Sequence, residues 1–388
     1  MKYRNGFPMS SKPSAPPRLD IFINGLRGGG AERMCVIFAN GLVQRGVDTR
    51  LVVLDLRDAA YAHLLDPRVQ VVSFDIPHAR NAIGGLTAYL RETRPTCCYS
   101  FASLLTTLLI LLRGLHHFPI TIIGEQHNNL TIQQQSYRHS WWYGHIAPAI
   151  RRTLYTRADH VVAVAEGVRL QLLRDYGFSE ERVSTIYNGV DPHLQQRAAA
   201  SPRTPSPSAM YAIGRLHYQK GYDRLIAAFA LCHQQRPDLQ LHIVGEGDLR
   251  EPLQHQIDQI GLAHAITLHG FEQDIARIYP HIPVLAMSSH FEALPSVLVE
   301  ANTFGVPVVA FDCDYGPAEI IEDGVNGFLV PQDDIPALAQ ALLRALETEW
   351  DTEQIKATAR RFSADTMVEA KLDLLQRLCP VFKGDHYE

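Results

Sequence analysis

The stretch "SSHFEALPSVLVEANTFGVPVV", residues 288–309, carries two glutamates, Glu292 and Glu300, with seven residues between them. Paired carboxylates suggest acid/base work. On an unbroken helix, however, eight steps turn about 800° and leave the two about 80° apart, not stacked. Pro295 lies between them, and proline favours the first turn of a helix. Glu292 is therefore expected in a loop and Glu300 more than a turn inside the helix. The loop can fold Glu292 back over the helix N-terminus while Glu300 presents its carboxylate from the side. Carboxylates accept hydrogen bonds from vicinal sugar hydroxyls. The backbone amides of Leu294, Ser296 and their neighbours stay open for phosphate or sugar oxygens, Pro295 having none. The plain alternative is a helix with two solvated acids.

A second constellation is "AIGRLHYQKGYDRLIAAFA". Arg215 and Lys220 sit between an apolar strand and a helix starting near Tyr222, and Gly221 turns the chain into that helix. Two cations and a helix N-terminus at the end of a strand make a diphosphate clamp. The order of residues is not that of a Walker A loop. In "INGLRGGGAERM", Gly28, Gly29 and Gly30 precede a helix, a turn that lets backbone approach a ligand. Arg33 stands where a dinucleotide fingerprint needs its third glycine. "GEQHNN" places Glu125, His127, Asn128 and Asn129 just past another strand, and His127 has no zinc-ligand spacing around it. Asp312-Cys313-Asp314 spells a metal-binding D-x-D. It is discounted, because Arg215, Lys220 and helix amides already fill the diphosphate role.

These residues need two sets of strands to carry them. Short apolar runs alternate with helical stretches from 18 to 189, and a second such series runs from 208 to 331. Each series predicts a parallel sheet covered on both faces, so the fold is α/β with two doubly wound Rossmann-like domains facing each other across a cleft. Length agrees, since 388 residues exceed one ordinary core. The expected division is 1–195, with 1–17 a loose arm, then 209–362, with 363–388 as a C-terminal helix and tail. "DPHLQQRAAASPRTPSPS" (191–208) interrupts the periodicity and is read as the linker, centred on 196–208.

Composition narrows the class. Apolar residues make up 46% and charged residues 20%, as in soluble globular proteins. No signal-like apolar segment opens the chain, and "FASLLTTLLILL" (101–112) is too short to span a bilayer, so it reads as a buried helix. The six cysteines show no metal spacing and are expected to be free thiols. Residues 1–195 carry a formal charge of +6 and residues 196–388 one of −11. That asymmetry fits a first domain meeting an anionic surface or acceptor, or ordinary drift between domains. "SYRHSWWYGHIAPAIRRTLYTRAD" (136–159) mixes Trp141, Trp142 and Tyr143 with Arg138, Arg151, Arg152 and Arg157. The mixture suits an anionic inner-membrane surface, and equally a packed core with a basic face.

Taken in order, "GGAERM", "EQHN", "IYNGVD", "GRLHYQKGYDRLI", "IVGEGDLR", "LHGF", "FEALPSVLVEA", "DCDYGPAEII" and "DGVNGFLV" resemble the retaining glycosyltransferases of family 4, which have the GT-B fold. The likeness spans most of the chain. "DCDYGPAEII" is similar to enzymes of lipopolysaccharide, capsule and exopolysaccharide assembly. The resemblance implies a nucleotide-sugar donor, UDP-linked by expectation, and a lipid-linked saccharide acceptor. No cofactor, metal or nucleic acid is expected, and the location implied is the cytoplasm, peripheral on the inner face of the membrane. It implies roles as well. Gly29 and Gly30 would approach the diphosphate or the acceptor side. Arg215 and Lys220 would stabilise the leaving diphosphate. Glu300 would bind ribose, Glu292 the donor sugar, and His127 would face that sugar at the reaction centre, with Leu294, Pro295 and Ser296 completing the donor site. Glu125 is the nearest candidate for a covalent nucleophile, and a same-face route without one is favoured. Other readings are a sugar-nucleotide epimerase or hydrolase on this fold, a dinucleotide-dependent dehydrogenase, which the broken glycine fingerprint disfavours, and a non-catalytic sugar-binding module.

Overall fold

The computed structural model describes residues 18–76, 81–127 and 153–382. The arm 1–17, Asn128, Asn129 and all the aromatic and basic residues named in 136–159 except Arg157 lie outside them. Apolar, β-branched runs form the strands because both faces of each sheet are covered. In the first domain these are β1 (Arg18–Ile23), β2 (Asp48–Val53), β3 (Gln70–Ser73), β4 (Cys97–Ser100), β5 (Thr121–Gln126), β6 (His160–Ala163) and β7 (Val183–Thr185). Between them run α1 (Gly30–Gln44), α2 (Ile83–Thr93), α3 (Ser103–His116) and α4 (Glu166–Gln171). The strands lie in the order β3-β2-β1-β4-β5-β6-β7, all parallel. The apolar run at 101–112 is α3, whose Leu105, Leu109 and Leu112 are buried under the sheet.

The second domain begins after α5 (Pro192–Ala200). Its strands are β8 (Ala209–Ile213), β9 (Gln240–Val244), β10 (Ile266–Gly270), β11 (Leu285–Met287), β12 (Val308–Asp312) and β13 (Gly327–Pro331). They lie parallel in the order β10-β9-β8-β11-β12-β13. The covering helices are α6 (Tyr222–Gln235), α7 (Arg250–Gln259), α8 (Ser296–Thr303), α9 (Pro317–Ile320), α10 (Ile335–Glu347) and α11 (Thr352–Ala359), and α12 (Ala364–Leu378) follows them. In both sheets the strand order reverses beside the first strand, between β1 and β4 and between β8 and β11. Ligands of doubly wound sheets bind outside the carboxyl ends of the strands at such a reversal.

Part of the stretch read as linker is helical. Asp191 caps α5 by accepting from the His193 amide at 2.7 Å, Pro192 opens the helix, and Leu194 and Ala198 bury one side of it. The signal was one capping residue and one buried pair at i, i+4, easily lost among Ala, Ser and Pro.

Three features tie the domains together. Helix α12 returns to the first domain, where Met367, Val368, Leu372 and Leu375 join Leu19, Ile21, Phe38 and Leu51 in one core. At the crossing the Val190 amide donates to Phe362 O at 2.7 Å, and a Cβ on Gly189 would stand 2.6 Å from Ala364 Cα, so only glycine fits there. Across the cleft, Glu319 of α9 accepts from the Glu166 and Gly167 amides of α4 at 2.7 and 3.0 Å.

Candidate functional site

A cavity of about 390 Å³ opens at the carboxyl ends of β8, β9 and β11. Strand β8 ends at Ile213, and the chain then passes Gly214, Arg215 and a tight turn through Lys220 before Gly221 starts α6. Gly221 has φ +58, a left-handed conformation, and a Cβ on it would run into Ser288 O. The turn therefore lies directly on the segment after β11, which carries Glu292. Lys220 Nζ stands 2.6 Å from Glu292 Oε1, Ser289 Oγ donates to the same oxygen at 2.7 Å, and Gln219 Nε2 donates to Oε2 at 3.2 Å. Glu292 is thus buried, paired and oriented. Arg215 is different. It is exposed at the cavity, and among the described residues its guanidinium has no ion-pair or side-chain hydrogen-bond partner.

Pro295 precedes α8, which starts at Ser296, so Glu300 is one turn inside the helix and Glu292 is off it. Leu294, Pro295, Ser296 and Val297 line the cavity with both glutamates, and the open amides of α8 add positive potential there. Tyr279 OH donates to Glu300 Oε2 at 2.8 Å. Burial lifts the Glu300 carboxyl above its ordinary range, against the Tyr279 hydrogen bond and the charge of Arg33. Arg33 comes from α1 of the other domain. Its Nη2 and Nε both donate to Asp191 Oδ2, at 2.7 and 3.0 Å.

Of the residues singled out in the sequence, Arg215, Lys220, Glu292, Leu294, Pro295, Ser296 and Glu300 meet in this one cavity. Gly29, Gly30 and His127 do not line it. The Gly28 and Gly29 amides donate to Glu32 Oε2 at 2.7 and 2.9 Å, so the chain's own carboxylate takes the place expected for a ligand anion at that turn. Gly30 has open space around it. Asp312 is exposed at the end of β12, and among the described residues no group of three His, Cys, Asp or Glu is placed to hold a metal ion.

His127 follows β5 in the first domain. Its ring stacks on Phe101, with centroids 5.6 Å apart and planes 23° apart, and its Nε2 is 3.0 Å from Glu125 Oε1. Glu125 is wholly enclosed, its Oε2 accepting from Tyr99 OH at 2.5 Å and Lys371 Nζ at 2.7 Å. Burial alone would push its carboxyl up, but the charges of Lys371 and then His127 prevail and hold it at about 2. The carboxylate is therefore enclosed by its partners and does not line the cavity.

Sequence reasoning missed several groups. Phe271, 78% exposed, stands at the cavity beside Glu272 and Glu246. Tyr279, Ser289 and Gln219 orient the two glutamates from other elements. Lys371 did leave a signal, since it falls on the apolar stripe of α12 in step with Ala364, Met367, Val368 and Leu375.

The chain matches known families along both halves. Residues 28–194 match the model described as Glycosyltransferase Family 4, and residues 197–362 the model described as Glycosyl transferases group 1. A lipopolysaccharide 1,6-galactosyltransferase of Salmonella typhimurium is 27% identical over 53% of this chain and 58% of its own length. An exopolysaccharide phosphotransferase of Streptomyces coelicolor is 31% identical over 57% of this chain and 23% of its own. The chain thus spans between about a quarter and three fifths of these relatives. Among solved structures, Anabaena HepE in complex with UDP-glucose superposes with a TM-score of 0.73 at 22% identity, covering 93% of this chain and all of that one. The likeness identifies the two-domain arrangement as the GT-B fold.

Proposed function

We propose, from the premise that the chain belongs to the family 4 glycosyltransferases with the GT-B fold, that it is a retaining, metal-independent transferase. It moves a hexose or N-acetylhexosamine from a UDP-sugar to a lipid-linked saccharide in cell-envelope polysaccharide synthesis. The observation that carries this reading is the cavity at the β8/β11 reversal. It sets two cations and a helix N-terminus between two carboxylates.

The diphosphate is assigned to Arg215, Lys220 and the amides of α8. As the bond from the anomeric carbon to the diphosphate breaks, negative charge grows on the departing oxygen. Preorganised cations and amides stabilise that charge without reorganising. Glu300 takes the ribose hydroxyls, and the exposed ring of Phe271 offers a stacking face for the base. Glu292, tethered by Lys220 and Ser289, accepts from the donor sugar. His127 approaches that sugar from the first domain as the cleft closes, and Gly29 and Gly30 keep the acceptor-side half of their expected role. With Glu125 sealed away, the favoured route has the acceptor hydroxyl attack on the face the diphosphate leaves, its proton passing to the departing phosphate oxygen.

The relative from Salmonella, named for lipopolysaccharide, and the UDP-glucose complex of HepE support the acceptor and donor classes. The test is a panel of UDP-sugars incubated with lipid-linked saccharides, with the product's anomeric configuration read by NMR. Transfer with the donor's configuration kept supports the reading. Donor consumed equally with and without acceptor would instead make the protein an epimerase or hydrolase.

A further inference from the structure

A buried ion pair links the C-terminal helix to Glu125, the carboxylate beside His127. Lys371 of α12 is wholly buried, its ammonium 4.9–5.7 Å from the ring centroids of Phe38, Tyr99 and Phe101. Such a cage of aromatic faces favours a cation. The ammonium bonds Glu125 Oε2 at 2.7 Å, leaving Oε1 to its other neighbour, His127 Nε2, at 3.0 Å. Both Oε1 and Nε2 are buried, they face each other at that distance without the alignment of a full hydrogen bond, and among the described residues neither has another partner, so each is the other's remaining option. An ionised carboxylate only accepts, whereas a neutral imidazole carries its proton on one nitrogen or the other. Beside Glu125 the proton belongs on Nε2, which leaves Nδ1 bare.

We infer that Lys371 is a positioning residue: by keeping Glu125 an ionised acceptor, it holds His127 in the Nε2–H tautomer, so that Nδ1 accepts from a hydroxyl of the transferred sugar. The inference rests on the reading above that His127 meets that sugar. It makes a helix formed by residues 364–378 part of the site, though it touches no substrate. If Lys371 loses its charge, Glu125 takes up a proton to avoid standing alone as a buried anion. Its hydroxyl then donates to Nε2, and the imidazole proton moves to Nδ1, the wrong nitrogen for a sugar hydroxyl.

The test uses the full chain labelled with 15N-histidine, at a pH where the rings are neutral, with the His127 signals assigned through His127→Gln. Wild type should show the Nε2–H pattern. Lys371→Met should shift it towards Nδ1–H. Where that variant fails to fold, Lys371→Met/Glu125→Leu replaces both charges by apolar groups, a change buried pairs tolerate. It should melt near wild type, lose the single-tautomer signature and turn over donor on the order of 10–100-fold more slowly, with less change in donor KM. An unchanged ring signature in a folded variant overturns the positioning. A changed signature with unchanged turnover overturns the sugar contact of His127, the reading on which the inference stands.

Discussion

Lys220 and Arg215 are both cations of one cavity, yet their settings differ. Lys220 is neutralised by Glu292 at 2.6 Å, whereas Arg215 is exposed and, among the described residues, has no ion-pair partner. Lys220→Ala therefore removes a charge and also frees a buried carboxylate beside the donor sugar. Its turnover should fall about 10²–10³-fold, the scale seen when one stabilising donor is lost. Arg215→Ala should lower turnover without disturbing Glu292. Steady-state kinetics on the two variants decides this, and full turnover in both would dismantle the clamp. Much of this site was legible in the sequence because its residues follow β8 and β11 within a few positions of a strand end. Tyr279, Phe271 and Arg33 were not legible. Phe271 reaches the cavity, and Tyr279 and Arg33 reach the surroundings of Glu300, from other elements, and only the folded sheet order brings them there.

At the scale of elements, two local features carry measurable weight. Gly221 joins the turn of Lys220 to α6 in a left-handed conformation pressed against Ser288 O. Gly221→Ala should lower unfolding stability by about 1–3 kcal/mol in a denaturant titration, and move Lys220 away from Glu292. His160, inside β6, hydrogen-bonds Ser184 of β7 at 2.9 Å. Burial, then the charges of Arg377 and Arg182, depress its ring to about 4. An unfolded chain binds that proton near pH 6.5, so the unfolded state holds more protons between the two values. Stability from this group is complete above pH 6.5 and is lost as pH falls towards 4, at most about 3 kcal/mol. Thermal melts of wild type and His160→Asn should converge in slope over that window only if His160 is not the cause. Strand periodicity made these sheets readable, but α5 was hidden, because a helix with one buried pair barely differs in pattern from a loop.

For the whole molecule, the cleft is held by a carboxylate from one domain on the amides of the other. Glu319→Ala should release α4 and widen the cleft, raising the radius of gyration in small-angle scattering while each domain's melting stays near wild type. Adding a donor analogue should restore the compact value by shifting the population back. No dimension change in the variant would mean that the α12 crossing suffices to keep the domains together. That crossing has a further consequence, for synthesis. Residues 364–382 are translated after every strand of the second domain, yet Met367, Val368, Leu372, Leu375 and Phe382 complete the core around β1. The domain begun first is finished last. While the second domain is being made, the first waits on the ribosome with a strip of apolar surface uncovered beside α1, the kind of surface that recruits chaperones and seeds aggregation.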